Sequence, residues 1–308
     1  MKYFDLHCDT VGECSNNKLP LRENTLHIDL NRTKCLDAYT QVFAIWIPDE
    51  FRGKTAVSYF NKTVGYFYEE IDKNKDLISI YGDNRSTPVK AILSVEGSSA
   101  CNGTLEGLHH LYSKGVRLIT LTWNGKNEVG SGAFSEGGLT SFGKEFIKES
   151  EKLGIVLDVS HLNRQSFFEF AKIAEKPFIA SHSNADIVNN EFGKKRNLSD
   201  EQIEIIKERK GLIGLNFCRD FIEDEKADGI DALYRQIEYF LSLGCENIIA
   251  LGSDFDGCPV HNDLNGIEKI PCVYTTLKQR GVDENILRKL FWENAETFFE
   301  KNKTVSSE

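Results

Sequence analysis

Short apolar runs recur along the chain, separated by longer stretches whose apolar residues fall at helical spacing. Runs at 3–6, 41–47, 90–95, 117–121, 155–159, 178–180, 212–216 and 248–252 are strand-length and rich in Val, Ile, Leu and Phe. Between and after them, the segments 55–73, 104–113, 143–153, 164–174, 200–209, 230–243, 267–280 and 283–301 read as amphipathic helices. Punctuation agrees with those bounds: Ser199 and Asp200 suit a helix start, Gly154 and Gly244 suit helix ends, and Asp283 opens the last helix. Strands alternating with helices predict repeated βα units around a parallel sheet, and their number predicts a (β/α)8 TIM barrel. Periodicity alone also fits an open doubly wound sheet, so the polar residues at the strand ends decide.

A chain of 308 residues suits one barrel, and no Pro/Gly/Ser-rich linker divides it. Residues 1–300 are expected to form a single (β/α)8 domain, with a frayed tail at 301–308. The 37 Lys and Arg against 47 Asp and Glu give a net charge of -10, which repels a phosphate backbone and excludes nucleic acid as an expected partner. No apolar run approaches membrane-spanning length and no basic region precedes an apolar one at the start, so a cytoplasmic protein without a membrane partner is expected. The eight cysteines lack C-x-x-C spacing and read as free thiols. The sequence leaves a homodimer open.

Candidate chemistry gathers where the strands end. His7 and Asp9 close the first run and, two residues apart, share one face of a strand, with Cys8 on the other. Glu96 follows the third run, His161 the fifth, His182 the sixth and Asp254 the eighth. In a barrel those ends converge on one face, where the chemistry of this fold takes place. Three imidazoles and three carboxylates suit zinc, and they exceed what one ion needs, so two metals with a carboxylate left for proton transfer are expected. His27, His109, His110 and His261 are not at strand ends and read as structural or surface residues, His261 lying nearest the rim.

These residues in this order resemble the renal, or membrane, dipeptidase family of zinc peptidases (peptidase family M19) within the metal-dependent amidohydrolases. The resemblance spans nearly the whole chain and rests on Phe4-Asp5-Leu6-His7-Cys8-Asp9, Ser94-Val95-Glu96-Gly97, Leu118-Ile119-Thr120-Leu121-Thr122, Leu157-Asp158-Val159-Ser160-His161, Ser181-His182-Ser183, Arg196-Asn197 and Gly252-Ser253-Asp254-Phe255-Asp256-Gly257. It implies two Zn2+ per chain, His7 and Asp9 on the first, His161 and His182 on the second, and Glu96 bridging both. It also implies Asp254 as the acid/base residue and Arg196 as the holder of a substrate carboxylate, a task that suits a planar fork of donors.

One position departs from the pattern. Mammalian members carry a histidine after Thr-Leu-Thr that contacts the substrate carbonyl, and here Trp123 follows Thr120-Leu121-Thr122. An indole donates a hydrogen bond but does not ionise. Trp123, Asn124 and Asn127 are therefore expected to shape the substrate pocket. The implied activity is hydrolysis of short peptides, dipeptides first, by a metal-bridging hydroxide. The alternative is hydrolysis of another small amide, lactam or lactone at the same metals. A non-catalytic barrel would more readily have lost a ligand, and a TatD-like nuclease would carry His-x-His where this chain has His7-Cys8-Asp9.

Overall fold

A computed structural model describes residues 1–222 and 228–302. Nine parallel strands make up the sheet: β1 (Lys2–Cys8), β2 (Ala38–Trp46), β3 (Ile78–Ile80), β4 (Val89–Glu96), β5 (Val116–Thr120), β6 (Val156–Asp158), β7 (Ile179–Ala180), β8 (Leu212–Leu215) and β9 (Ile249–Leu251). Eight of them close a (β/α)8 barrel, because β1 pairs with both β2 and β9 while β2 pairs with β4. The ninth, β3, was not expected from the sequence. It pairs with the first residues of β4, below the point where β5 joins the same strand, and so extends the wall without entering the closed ring.

The barrel interior is a packed apolar layer. Phe4 and Leu6, Val42, Ile92, Leu118, Val156, Ile179, Leu212 and Ala250 come one or two from each ring strand and form one buried cluster. The helix Asn294–Lys301 closes the bottom of this cluster with Ala295, Phe298 and Phe299. Phe299 stacks on Phe4 at 5.2 Å. The Phe299→Ala variant should therefore lose about 3–5 kcal/mol of stability, read as a lower urea midpoint with an unchanged slope.

The larger core lies outside the ring, where Tyr3, Phe43, Phe60, Phe67, Phe146 and Phe170 pack the helices onto the strands. Helix signals hold up well: Ser199 with Gln202 makes a capping box, Gly154 ends its helix in the left-handed region, and Asp283 caps the helix Glu284–Arg288. The expected helix 283–301 is continuous but contains a π turn over Lys289–Glu293. Two short helices, Thr10–Asn17 and Glu191–Arg196, were not expected from the sequence, and both flank the site. The cysteines are free thiols. Among the described residues no helix is long and apolar enough to cross a membrane. The expected tail at 301–308 falls mostly on 303–308, outside the described residues.

Candidate metal centre

A bulge sets the first two site residues. Between Asp5 and Cys8, β1 has one residue more than β2 opposite it, since Asp5 pairs with Gln41 and Cys8 with Phe43. Regular alternation after Phe4 and Leu6 would carry Cys8 inward; the extra residue turns His7 inward and puts Cys8 in the outer core. Asp5 fixes that kink: its Oδ1 accepts the His7 N–H at 3.2 Å and the Ser253 N–H at 2.9 Å, and its Oδ2 accepts from the Tyr3 hydroxyl at 2.9 Å. Burial pushes the Asp5 carboxyl up to about 6 against these donors.

At the top of the ring His7 Nε2 faces three carboxylates, Asp9 at 3.5 Å, Glu96 at 3.6 Å and Asp254 at 3.8 Å. Among the described residues neither ring nitrogen of His7 has a hydrogen-bond partner, and both are buried. These separations are too long for hydrogen bonds. The Asp9 and Glu96 separations match ligands of one ion, because donor atoms about 2.0–2.2 Å from a tetrahedral metal stand roughly 3.3–3.6 Å apart, whereas Asp254 lies beyond that range. Burial would lower the His7 pKa, yet Glu96 and Asp9 outweigh it and raise it well above the usual imidazole value. The carboxylates thus demand positive charge at this point. Burial pushes Asp9 up to about 7, an effect that His7 opposes.

The second group is built differently. Glu96, the last residue of β4, brings Oε1 to 2.8 Å from His161 Nε2 and 3.5 Å from His182 Nε2, and the two imidazole nitrogens stand 2.8 Å apart. His161 Nδ1 faces Asn124 Oδ1 at 2.9 Å; an amide oxygen only accepts, so Nδ1 carries the proton and Nε2 a lone pair. His182 Nδ1 lies 2.7 Å from Ser181 Oγ, whose own proton goes to Asp158 Oδ2 at 2.6 Å. His182 must then donate from Nδ1, which leaves its Nε2 also as a lone pair. Two lone pairs and a carboxylate aimed at one point repel each other unless a cation lies between them. Burial and nearby Arg196 push His161 down to about 3, so its ring is neutral at pH 7. Burial alone would raise the Glu96 pKa, but the positive charge favoured on His7 holds it well below the carboxylate range.

Among the described residues, three sets of buried side chains could therefore hold metal: His7, Asp9 and Glu96; Glu96, His161 and His182; and His7, His182 and Asp254. Glu96 belongs to the first two and touches both clusters, which is the geometry that a bridging carboxylate needs. Asp254 is held by Asn216 Nδ2 at 3.0 Å on Oδ2 and by its own N–H to His7 O at 3.2 Å. Burial would raise it, but His7 and the Asn216 amide keep it below the usual carboxylate value and ionised. His161 and Asp254 both adopt left-handed backbone (φ 69° and 60°), a conformation costly for residues other than glycine and concentrated at functional sites. Gly257 permits the crowding, since a Cβ there would stand 2.1 Å from Asp9 Oδ2 and 2.6 Å from Asp254 Oδ1.

The cleft above the site has a volume of about 320 Å³, and its lining includes Asp9, Glu96, His161, Asp254, Trp46, Trp123 and Asn124. Trp123 meets Trp46 edge-on at 5.0 Å. Asn124 lines the cleft but spends its carbonyl on His161. Asn127, expected to shape the pocket, does not line it: its amide donates to Leu121 O and Ser98 Oγ and accepts from Val129 and Gly130, so it organises the loop. Arg196 is buried at 5% exposure, its guanidinium 5.0 Å from the ring of Phe221, with Nε and Nη2 unpartnered among the described residues. Trp46, Asp158, Ser181 and Asn216 were missed in the sequence. Asp158 and Ser181 stood inside the strand-end motifs, and a buried carboxylate ending an apolar run was the available signal. The Ser181→Ala variant should weaken metal binding about 10–100-fold without changing the far-UV circular dichroism, measured by titration of the metal-stripped protein.

Comparison with known proteins agrees with this geometry. The model of the membrane dipeptidase family, peptidase family M19, matches residues 1–308. The chain belongs to that family. A metallo peptidase of Rhodobacter sphaeroides, solved liganded with a phosphinate mimic of the dipeptide L-Ala-D-Ala, superposes with a TM-score of 0.89 at 25% identity, covering 98% of this chain and 99% of that one. A second structure, the metallo peptidase dipeptidase AC of family M19, gives 0.90 at 26% identity over 98% of each chain. An uncharacterized protein encoded in the pqqA 5′ region of Klebsiella pneumoniae is 34% identical over 218 residues, 66% of this chain and 78% of that protein. An uncharacterized dipeptidase of Schizosaccharomyces pombe is 31% identical over 219 residues, 68% of this chain and about half (51%) of that protein. Family and fold neighbours make this M19 chain a metal-dependent hydrolase of the dipeptidase class.

Proposed function

We propose that this family member is a binuclear zinc dipeptidase, with residues 1–300 acting as one catalytic domain. The observation that carries the reading is the pair of lone-pair imidazoles, His161 and His182, converging with Glu96 beside a second set made by His7, Asp9 and the same Glu96. His7 and Asp9 would hold one ion, His161 and His182 another, and Glu96 would serve both; imidazole and carboxylate donors suit zinc. Two ions so placed would lower the pKa of a shared water into the neutral range and polarise the peptide carbonyl.

The side chains of the chain itself do the rest. Asp254, ionised and steered by Asn216, takes the proton of the attacking water and passes it to the leaving amine. Arg196, a buried cation with two unpartnered nitrogens, pairs with the substrate carboxylate; an unpaired buried charge is costly, and an anionic ligand relieves that cost. Arg196 limits the substrate to short peptides with a free carboxylate near the scissile bond. Trp123 and Trp46 wall the cleft and exclude water, and Trp123 offers no titrating group where a histidine would stand.

The test is a panel of L,L- and L,D-dipeptides beside N-acyl amino acids, lactams and lactones, assayed with the zinc-loaded protein. Dipeptides should be cleaved with the highest kcat/KM. The L,D arm matters because the Rhodobacter relative holds an L-Ala-D-Ala mimic. Turnover of a lactone or lactam with dipeptides untouched would replace this reading by the second one that Trp123 invites.

A further inference from the structure

Two phenylalanines stand in water where apolar side chains are seldom left. Phe134 is 40% and Phe192 54% exposed, and the other large hydrophobics as exposed among the described residues are Tyr68 and Ile187. Both line the cleft, Phe134 from a loop and Phe192 from the helix Glu191–Arg196, and their rings meet at 5.6 Å with a 49° tilt. Neither position is loose. Phe134 donates its N–H to Asn124 O at 2.9 Å, and its loop is tied by Asn163 Nδ2 to Ser135 O at 2.8 Å. Phe192 sits in the helix Glu191–Arg196, whose first turn is capped by the Asn190 side chain on Gly193 N at 2.7 Å. Lys195 adds an ammonium 5.1 Å from the Phe134 ring.

The same helix carries Arg196, one turn after Phe192, so the two side chains stand on one side of it at i and i+4. Arg196 is buried with two unpartnered nitrogens, and Phe192 reaches the mouth of the cleft. In a dipeptide the carboxylate belongs to the second residue. If Arg196 holds that carboxylate, the side chain on the same α-carbon lies within reach of Phe192.

We propose that Phe134 and Phe192 form an aromatic clamp over the cleft mouth that binds the side chain of the second residue of the dipeptide and selects apolar or aromatic residues there. The proposal rests on the dipeptidase reading and on Arg196 as the carboxylate holder. An apolar side chain between the rings would take both faces out of water, whereas Ala would leave them wet and an amide would lose its hydration without a partner.

The experiment compares kcat/KM for Ala-Phe and Ala-Ala, in whichever configuration of the second residue is cleaved, with Phe-Ala as the control for the first position. The zinc-loaded wild type should favour Ala-Phe over Ala-Ala by about tenfold or more. Phe192→Ala and Phe134→Ala should each bring that ratio down about tenfold, chiefly through KM, and Phe192→Leu should restore part of it. The double variant should lose little beyond the worse single one, because the rings act as a pair. Dipeptides cleaved with the same ratio by wild type and variants would overturn the clamp while leaving the dipeptidase reading standing. Loss of the ratio for Phe-Ala as strongly as for Ala-Phe would also overturn it. No cleavage of any dipeptide by wild type would overturn both.

Discussion

Asp254→Asn should lower kcat by about 10³-fold, within the range that one positioned proton-transfer group supplies, while two ions stay bound. The amide keeps the shape of the side chain and its contact with Asn216, but it cannot accept a proton. KM should move little, because Asp254 is not placed to hold the substrate's ends. Kinetics and metal analysis on the same preparation separate the possibilities. Loss of an ion together with activity would make Asp254 a metal ligand, as its grouping with His7 and His182 also permits. Near-normal turnover would remove it from the chemistry.

Glu96→Gln should have a still wider effect. Glu96 is the one side chain common to both principal clusters, with Oε1 at 2.8 Å from His161 and Oε2 at 3.6 Å from His7. The substitution removes the charge and one of the two equivalent oxygens while preserving the volume. Metal content should fall below one ion per chain, and kcat/KM should drop to the background of the assay. Thermal stability should become insensitive to added zinc, whereas wild type should gain about 2.7 kcal/mol for each site when free metal stands at a hundred times its Kd. A variant that keeps two ions and melts with wild-type zinc dependence would contradict the bridging role.

The ring and the site were legible in the sequence to different depths, for physical reasons. Strand runs such as 90–95 and helix signals such as the Ser199 cap are local, so sequence alone placed them. β3 is three residues long and has too little pattern to register. The inward turn of His7 depends on a bulge that register with β2 creates, and alternation within β1 does not show it. His161, His182, Glu96 and Asp254 were singled out because charge or imidazole at the end of an apolar run is costly without a task. Their supports were missed: Asn216 and Ser181 look like ordinary strand-end polar residues until Asp254 and His182 are brought beside them. Asn127 failed as a pocket residue for the converse reason, since proximity along the chain to Trp123 does not fix the direction of a side chain.

Two ions sharing Glu96 are tested most directly by the metal-to-protein ratio of wild-type protein reconstituted with zinc and freed of excess. The ratio should be two ions per chain, the second lost with the substitution His161→Ala and the first with His7→Ala. A ratio that stays at one at saturating zinc, or a second ion unaffected by both substitutions, would contradict it.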